Sequence, residues 1–146
     1  MVAIGDTAPD FRAPNQDGTE FRLSSLKGSP VVLYFYPKAD TPGCTIEAKG
    51  FRDVYGEFTA KKVAVVGVST DDCPDQKKFV DKYGLPFPLI ADSKQDVARA
   101  YGVLGPHGTA RRATFLIDAG GKVVDVVEGV PPDQHVARAR AVLLTK

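Results

Sequence analysis

Cys44 follows Thr41 by three residues, with Pro42-Gly43 between them. Threonine is a favoured N-cap and proline suits the first helical position. The stretch therefore reads as a helix start with a thiol in its first turn. A capping box would set Glu or Gln at that third position, an acceptor facing backbone N–H groups that no helical carbonyl serves. A thiol there occupies a place that favours negative charge. Free thiols ionise near pH 8.5, and helix N-termini with nearby cations bring reactive ones to roughly 3.5–7.5. The chemistry expected of this position is that of a thiolate nucleophile.

A thiol needs elements to hold it. Residues 31–36 are apolar or aromatic in succession, as in a central strand covered on both faces. That strand would feed the turn before Cys44. Beyond it, Phe51, Val54, Tyr55 and Phe58 fall at helical spacing. Gly50 and Gly56 weaken that helix and allow either close packing or local unwinding. Residues 63–69 form a second buried strand. Asp71-Asp72-Cys73-Pro74 then opens a helix with Cys73 at its N-cap and Pro74 at its first position, running to Tyr83 and stopped by Gly84. Pro86-Phe87-Pro88 is an extended connector and Leu89-Ile90 a short strand. Asp92 or Ser93 caps a helix that ends near Tyr101-Gly102, and residues 102–112 form a loop. Residues 114–117 and 123–127 pair as a hairpin around Asp118-Ala119-Gly120-Gly121. Pro131-Pro132-Asp133 starts a last helix with Val136, Ala139, Val142 and Leu143 on one side. Near the N-terminus, Phe11 and Ala13 precede the turn cluster Asn15-Gln16-Asp17-Gly18, and Thr19, Phe21 and Leu23 alternate after it. The expectation is one α/β domain over residues 1–146. Its layout is thioredoxin-like: a mixed central β-sheet flanked by helices on both faces, with an N-terminal β-hairpin.

Composition narrows the function. The 146 residues are 43% hydrophobic and 25% charged, with net charge +1, so no strong field points to nucleic acid or an anionic membrane. Two cysteines are too few for a secreted disulfide scaffold, residues 1–10 hold no apolar signal core, and no run approaches a membrane span. A cytoplasmic, reducing location is the default. Two cysteines and two histidines lie scattered without ligand spacing, so no metal and no cofactor is expected. His107, in Gly105-Pro106-His107-Gly108, and His135, on the last helix, read as surface histidines rather than partners of Cys44.

The spacing Pro37-x-x-x-Thr41-x-x-Cys44 resembles the active-site motif of peroxiredoxins. The wider stretch Phe35-Tyr36-Pro37-Lys38-x-Asp40-Thr41-Pro42-Gly43-Cys44-Thr45-x-Glu47-Ala48, with Phe51-Arg52-Asp53, is similar to the bacterioferritin comigratory protein group, also called peroxiredoxin Q. Gly5-Asp6-x-Ala8-Pro9-Asp10-Phe11 and Arg112-Ala113-Thr114-Phe115-Leu116-Ile117-Asp118 match the same family in order. The resemblance implies a thiol-dependent peroxidase that reduces hydrogen peroxide and alkyl hydroperoxides, with Cys44 as peroxidatic cysteine. It implies that Arg112 lies beside the sulfur, where a fixed cation favours the thiolate and the charge developing on the peroxide oxygens. Thr41 would donate its hydroxyl to the peroxide and accept a backbone N–H, the amides of Gly43 and Cys44 would add donors, and Pro37 would shield the site. Glu47 would orient Arg112 in a supporting role.

Recovery of the enzyme is less plainly marked. Oxidised Cys44 needs a thiol to return it to the reduced state. Many members of the group carry a resolving cysteine five residues after the peroxidatic one, and that position is Lys49 here. Cys73 is the candidate resolving thiol; without it the enzyme is a one-cysteine type served by an external thiol. Thioredoxin, glutaredoxin or a small thiol would be the reductant, and the resemblance implies a monomer or weak dimer. Two other readings use the same thiol: a peroxide sensor, and a thiol–disulfide oxidoreductase, which would need a second cysteine where Thr41 stands.

Overall fold

All five residues of β3 (Val31–Phe35) are buried, as their unbroken apolar run requires of a strand covered on both faces. The structure is a computed structural model that describes residues 1–144. In chain order its other elements are β1 (Arg12–Pro14), β2 (Glu20–Arg22), a 3-10 turn (Leu23–Leu26), α1 (Pro42–Ala60), β4 (Ala64–Ser69), α2 (Cys73–Tyr83), β5 (Leu89–Ala91), α3 (Asp96–Tyr101), β6 (Ala113–Ile117), β7 (Val123–Glu128) and α4 (Pro132–Leu143). The sheet runs β5-β4-β3-β6-β7. Strand β4 lies parallel to β3 in register Val31↔Ala64 to Phe35↔Val68, while β6 lies antiparallel to β3. The sheet is therefore mixed, and β1 and β2 form the separate antiparallel hairpin. The expected thioredoxin-like layout is the observed one.

Alternation along β3 divides the core into two layers. Val32, Tyr34 and Tyr36 face α1, α2 and α4, packing with Ala48, Phe51, Phe58, Phe79, Val136 and Ala139. Val31, Leu33 and Phe35 face the other way, toward α3 and the N-terminal segment, and pack with Phe11, Leu23, Val97, Tyr101 and Phe115. Phe51 stacks on Tyr34 with ring centroids 4.8 Å apart. Burying a side chain of that size stabilises by about 1.5–3 kcal/mol, which fixes α1 over the middle of the sheet.

The pairing of α1 with α4 decides between the two readings of Gly50. A Cβ at Gly50 would stand 3.0 Å from Val136 Cγ2, so this glycine serves close helix packing. Gly56 has nothing within 4 Å of that position and plays no such part.

Three helix starts differ from expectation. Asp72, not Cys73, is the N-cap of α2: its carboxylate accepts from the Asp75 N–H at 2.9 Å, which puts Cys73 at the first helical position and Pro74 at the second. A carboxylate outcompetes a thiol as acceptor for a backbone N–H. Gln95, in left-handed conformation, precedes α3, and Asp92 caps from further back by accepting from Val97 N–H at 3.0 Å and Ala98 N–H at 2.8 Å. Thr41 is the N-cap of α1 by position, yet its side chain caps nothing. No helix among the described residues is long and apolar enough to cross a membrane.

Candidate active site

Strand β3 carries the chain into the turn at residues 37–41, and α1 opens with Pro42, Gly43 and Cys44. Cys44 falls on the buried side of α1 with Glu47, Ala48 and Phe51, the positions i, i+3, i+4 and i+7 of an inward face. The sulfur lies under the first turn and the residue is 1% exposed. Thr41 points its hydroxyl away from the helix, donating to the Lys38 carbonyl at 2.7 Å. The expected bond from a backbone N–H to Thr41 Oγ1 is absent, because that oxygen is turned back into the loop. The loop itself is pinned to α2: Asp40, at φ +61°, accepts from Lys82 Nζ at 2.8 Å and Tyr83 OH at 2.7 Å. The Ala39 N–H donates to Asp71 at 2.8 Å.

Arg112 enters from the residue just ahead of β6. Its Nη2 donates to Cys44 Sγ at 3.3 Å and its Nη1 donates to Glu47 Oε1 at 2.7 Å. One planar guanidinium thus spans two residues of α1 spaced one turn apart, a fork that a lysine ammonium could not supply. Its approach depends on Gly43, since a Cβ there would stand 3.0 Å from Nη2. Interaction with Glu47 and Cys44 raises the pKa of Arg112 against the effect of its burial, so the cation is permanent. Arg111, next to it, is exposed and donates instead to the Gly102 carbonyl.

Glu47 is the least expected feature in its degree of burial. It is fully buried, and removal from water pushes its carboxyl up to about 8 even though Arg112 pulls the other way. Behind it stands His135, which is no surface histidine: it is fully buried, with Nδ1 2.8 Å from Thr114 Oγ1 and 3.6 Å from Glu47 Oε2. Burial, then the Arg112 charge, hold its ring down to about 4, while the Val130 carbonyl acts weakly the other way. The 3.6 Å contact is therefore between a neutral ring and a carboxyl, not an ion pair. His135, Val136 and Ala139 lie at i, i+1 and i+4 on the buried side of α4, a spacing that carries the histidine into the core. His107 is exposed, as its loop composition suggests.

The structure brings together Cys44, Glu47 and Arg112, with Gly43 giving them room. It leaves Thr41 and Pro37 in the adjoining loop, partly buried. Cys73 stands apart on α2, partly exposed, and both thiols are free. Among the described residues no cluster of His, Cys, Asp or Glu has the composition of a metal site. A buried thiol under a helix N-terminus, with a fixed cation on the sulfur, can attack an electrophile and stabilise the charge it displaces.

Known proteins resemble this chain in sequence and fold. Residues 4–126 match the AhpC/TSA family. The chain is 42% identical to a putative peroxiredoxin bcp of Coxiella burnetii, covering 93% of this chain and 95% of that one. It is 39% identical to peroxiredoxin Bcp of Escherichia coli, covering 92% and 90%. Among solved structures, peroxidoxin BcpB from Mycobacterium tuberculosis superposes with a TM-score of 0.93 at 43% identity, over 98% of this chain and 97% of that one. The bacterioferritin comigratory protein of Xanthomonas campestris, studied for alkyl peroxide reduction, superposes with a TM-score of 0.88 at 30% identity, over 98% and 95%. The chain belongs to the AhpC/TSA family as a peroxiredoxin of the Bcp and peroxiredoxin Q kind, a thiol-dependent peroxidase.

Proposed function

We propose that Cys44 is the peroxidatic cysteine of a single-domain enzyme spanning residues 1–146. The observation that carries this reading is the guanidinium of Arg112, bridging Cys44 Sγ at 3.3 Å and Glu47 at 2.7 Å. The sulfur attacks one oxygen of the peroxide. An S–O bond forms, the O–O bond breaks, and the second oxygen leaves as hydroxide or alkoxide and takes up a proton. Cys44 becomes a sulfenic acid. Arg112 stabilises the charge moving from sulfur to the leaving oxygen. The Thr41 hydroxyl gives up its Lys38 contact to donate to the bound peroxide, the N–H groups of Gly43 and Cys44 donate beside it, and Pro37 shields the mouth. Glu47 holds the guanidinium in place.

A thiol at 1% exposure fits a slim oxidant, so hydrogen peroxide and alkyl hydroperoxides are the substrates of this reading, the latter also the concern of the Xanthomonas campestris relative. Recovery needs two thiol equivalents: the first forms a disulfide with Cys44 and releases water, and the second exchanges that disulfide to give back the thiol. Cys73 supplies the first if the turn at residues 37–41 opens toward α2; otherwise thioredoxin, glutaredoxin or a small thiol supplies both. The enzyme works as a monomer in a reducing compartment, the cytoplasm.

Turnover of hydrogen peroxide with a thioredoxin system tests both halves. Cys44→Ser is expected to lose turnover entirely with its fold retained; a Cys44→Ser chain that still turns over would overturn the reading. In Cys73→Ser, loss of an intramolecular disulfide seen in the wild-type chain assigns resolution to Cys73, and full turnover with no such disulfide assigns it to an external thiol.

A further inference from the structure

His135 is fully buried on α4, and nothing in the attack on peroxide uses it. Its Nδ1 meets Thr114 Oγ1 at 2.8 Å and faces Glu47 Oε2 at 3.6 Å. Glu47 Oε1 holds Arg112 Nη1, and Arg112 Nη2 reaches Cys44 Sγ. The four side chains make one line, His135–Glu47–Arg112–Cys44, contributed by α4, by α1 and by the residue ahead of β6. Two polar atoms on that line, Glu47 Oε2 and His135 Nε2, have no well-formed hydrogen bond among the described residues. Leaving a buried polar atom so is costly, a cost that an apolar side chain of similar size would avoid at position 135.

Resting on the reading of Cys44 as the peroxidatic thiol, we propose that His135 is a positioning residue for this reaction. It backs the Glu47 oxygen that Arg112 does not use, and so sets where the guanidinium stands against the sulfur. Glu47 has a long side chain whose only side-chain hydrogen bond among the described residues goes to Arg112, itself a flexible group. An imidazole braced by Thr114, the second residue of β6, gives that carboxyl a rigid back wall. Tyr34 from β3 also interacts electrostatically with Glu47. The ring is uncharged near neutral pH, so it acts by shape and dipole rather than as a counter-charge.

The test is the second-order rate constant for oxidation of the reduced full-length chain by hydrogen peroxide, followed by stopped flow from pH 5.5 to 9. His135→Leu is expected to slow oxidation by about 10-fold and to displace the alkaline limb of the profile. His135→Asn, whose amide reaches the Nδ1 position, should recover most of the rate. In a Glu47→Gln background the same leucine change should cost less than about 2-fold, because the partner through which His135 acts is gone. An unaltered rate in His135→Leu, or an equal loss in both backgrounds, overturns the proposal. If the leucine chain does not fold, Thr114→Val enters the same cycle: a loss confined to the Glu47 background supports the brace, and an equal loss in both rejects it. Failure of the underlying reading looks different, since Cys44→Ser would then still consume peroxide.

Discussion

The first turns of α1 and α2 each hold a cysteine just past the end of a parallel strand, β3 before Cys44 and β4 before Cys73. Both helices aim unpaired N–H groups at the same edge of the sheet, and both have proline in the first turn. They answer the charge of that helix end in opposite ways. At α2 the cap is a carboxylate, Asp72, with Asp75 in the first turn and Asp71 just ahead. At α1 the first turn has no acidic residue, and the cap Thr41 turns its hydroxyl back to Lys38. What comes to α1 instead is a second positive element, Arg112 on the sulfur. A helix dipole common to both ends cannot by itself set the two thiols apart. What differs is that one end already holds a carboxylate, while the other holds a thiol with the Arg112 guanidinium on its sulfur.

Removing Arg112 is the strongest way to break this contrast. Arg112→Ala should lower the rate constant for peroxide by about 10²–10³, the scale seen when one preorganised donor is lost from a developing charge. Arg112→Lys should recover little, because one ammonium cannot span Cys44 and Glu47. Alkylation of Cys73 in the same variant should run at the wild-type rate. A loss under 10-fold at Cys44, or a change at Cys73, would mean that the two helix ends are not separated by this cation.

The contrast was only half legible in the sequence. The apolar run at residues 31–36, the spacing of Phe51 and Phe58, and Gly84 after Tyr83 placed the strand and both helices, because burial periodicity and a left-handed stop are local signals. Local pattern alone does not separate Asp72 from Cys73 as the cap of α2, since they differ only in which acceptor is the stronger, and proline is tolerated at either of the first two positions. Thr41 has the right type for a cap, but its hydroxyl has a second acceptor in Lys38 that only the turn geometry supplies. Residue type alone puts His135 at the surface. Its spacing with Val136 and Ala139 held the other answer, and its partners Thr114 and Glu47 come from distant elements that no local pattern joins.

Glu47 sharpens the same comparison through pH. Its carboxyl is raised from an ordinary 4.5 to about 8 by burial, so the folded chain holds a proton there that the unfolded chain releases above 4.5. Stability tied to that proton is full below pH 4.5 and is lost as pH rises through about 8. His135 acts in the opposite sense: its ring is held down from 6.5 to about 4, so stability falls as pH drops below 6.5. Of these two terms, only that of Glu47 changes much between pH 6.5 and 8. Over that window the wild-type chain should lose about 2 kcal/mol relative to Glu47→Gln, read from urea midpoints. Parallel curves for the two chains would mean that the carboxylate is already ionised at neutral pH and that Arg112 outweighs burial.

The smallest effect separates capping from catalysis. Asp72→Ala removes the acceptor of the Asp75 N–H and should cost about 1 kcal/mol in a urea titration, while the peroxide rate constant stays at the wild-type value. Thr41→Ala is the mirror case. It removes no capping bond, only the contact to Lys38, so its stability cost should be the smaller of the two, and the loss should appear in the rate. If Thr41→Ala instead destabilised like Asp72→Ala and left the rate intact, the hydroxyl would be an ordinary structural group, and α1 would start as α2 does.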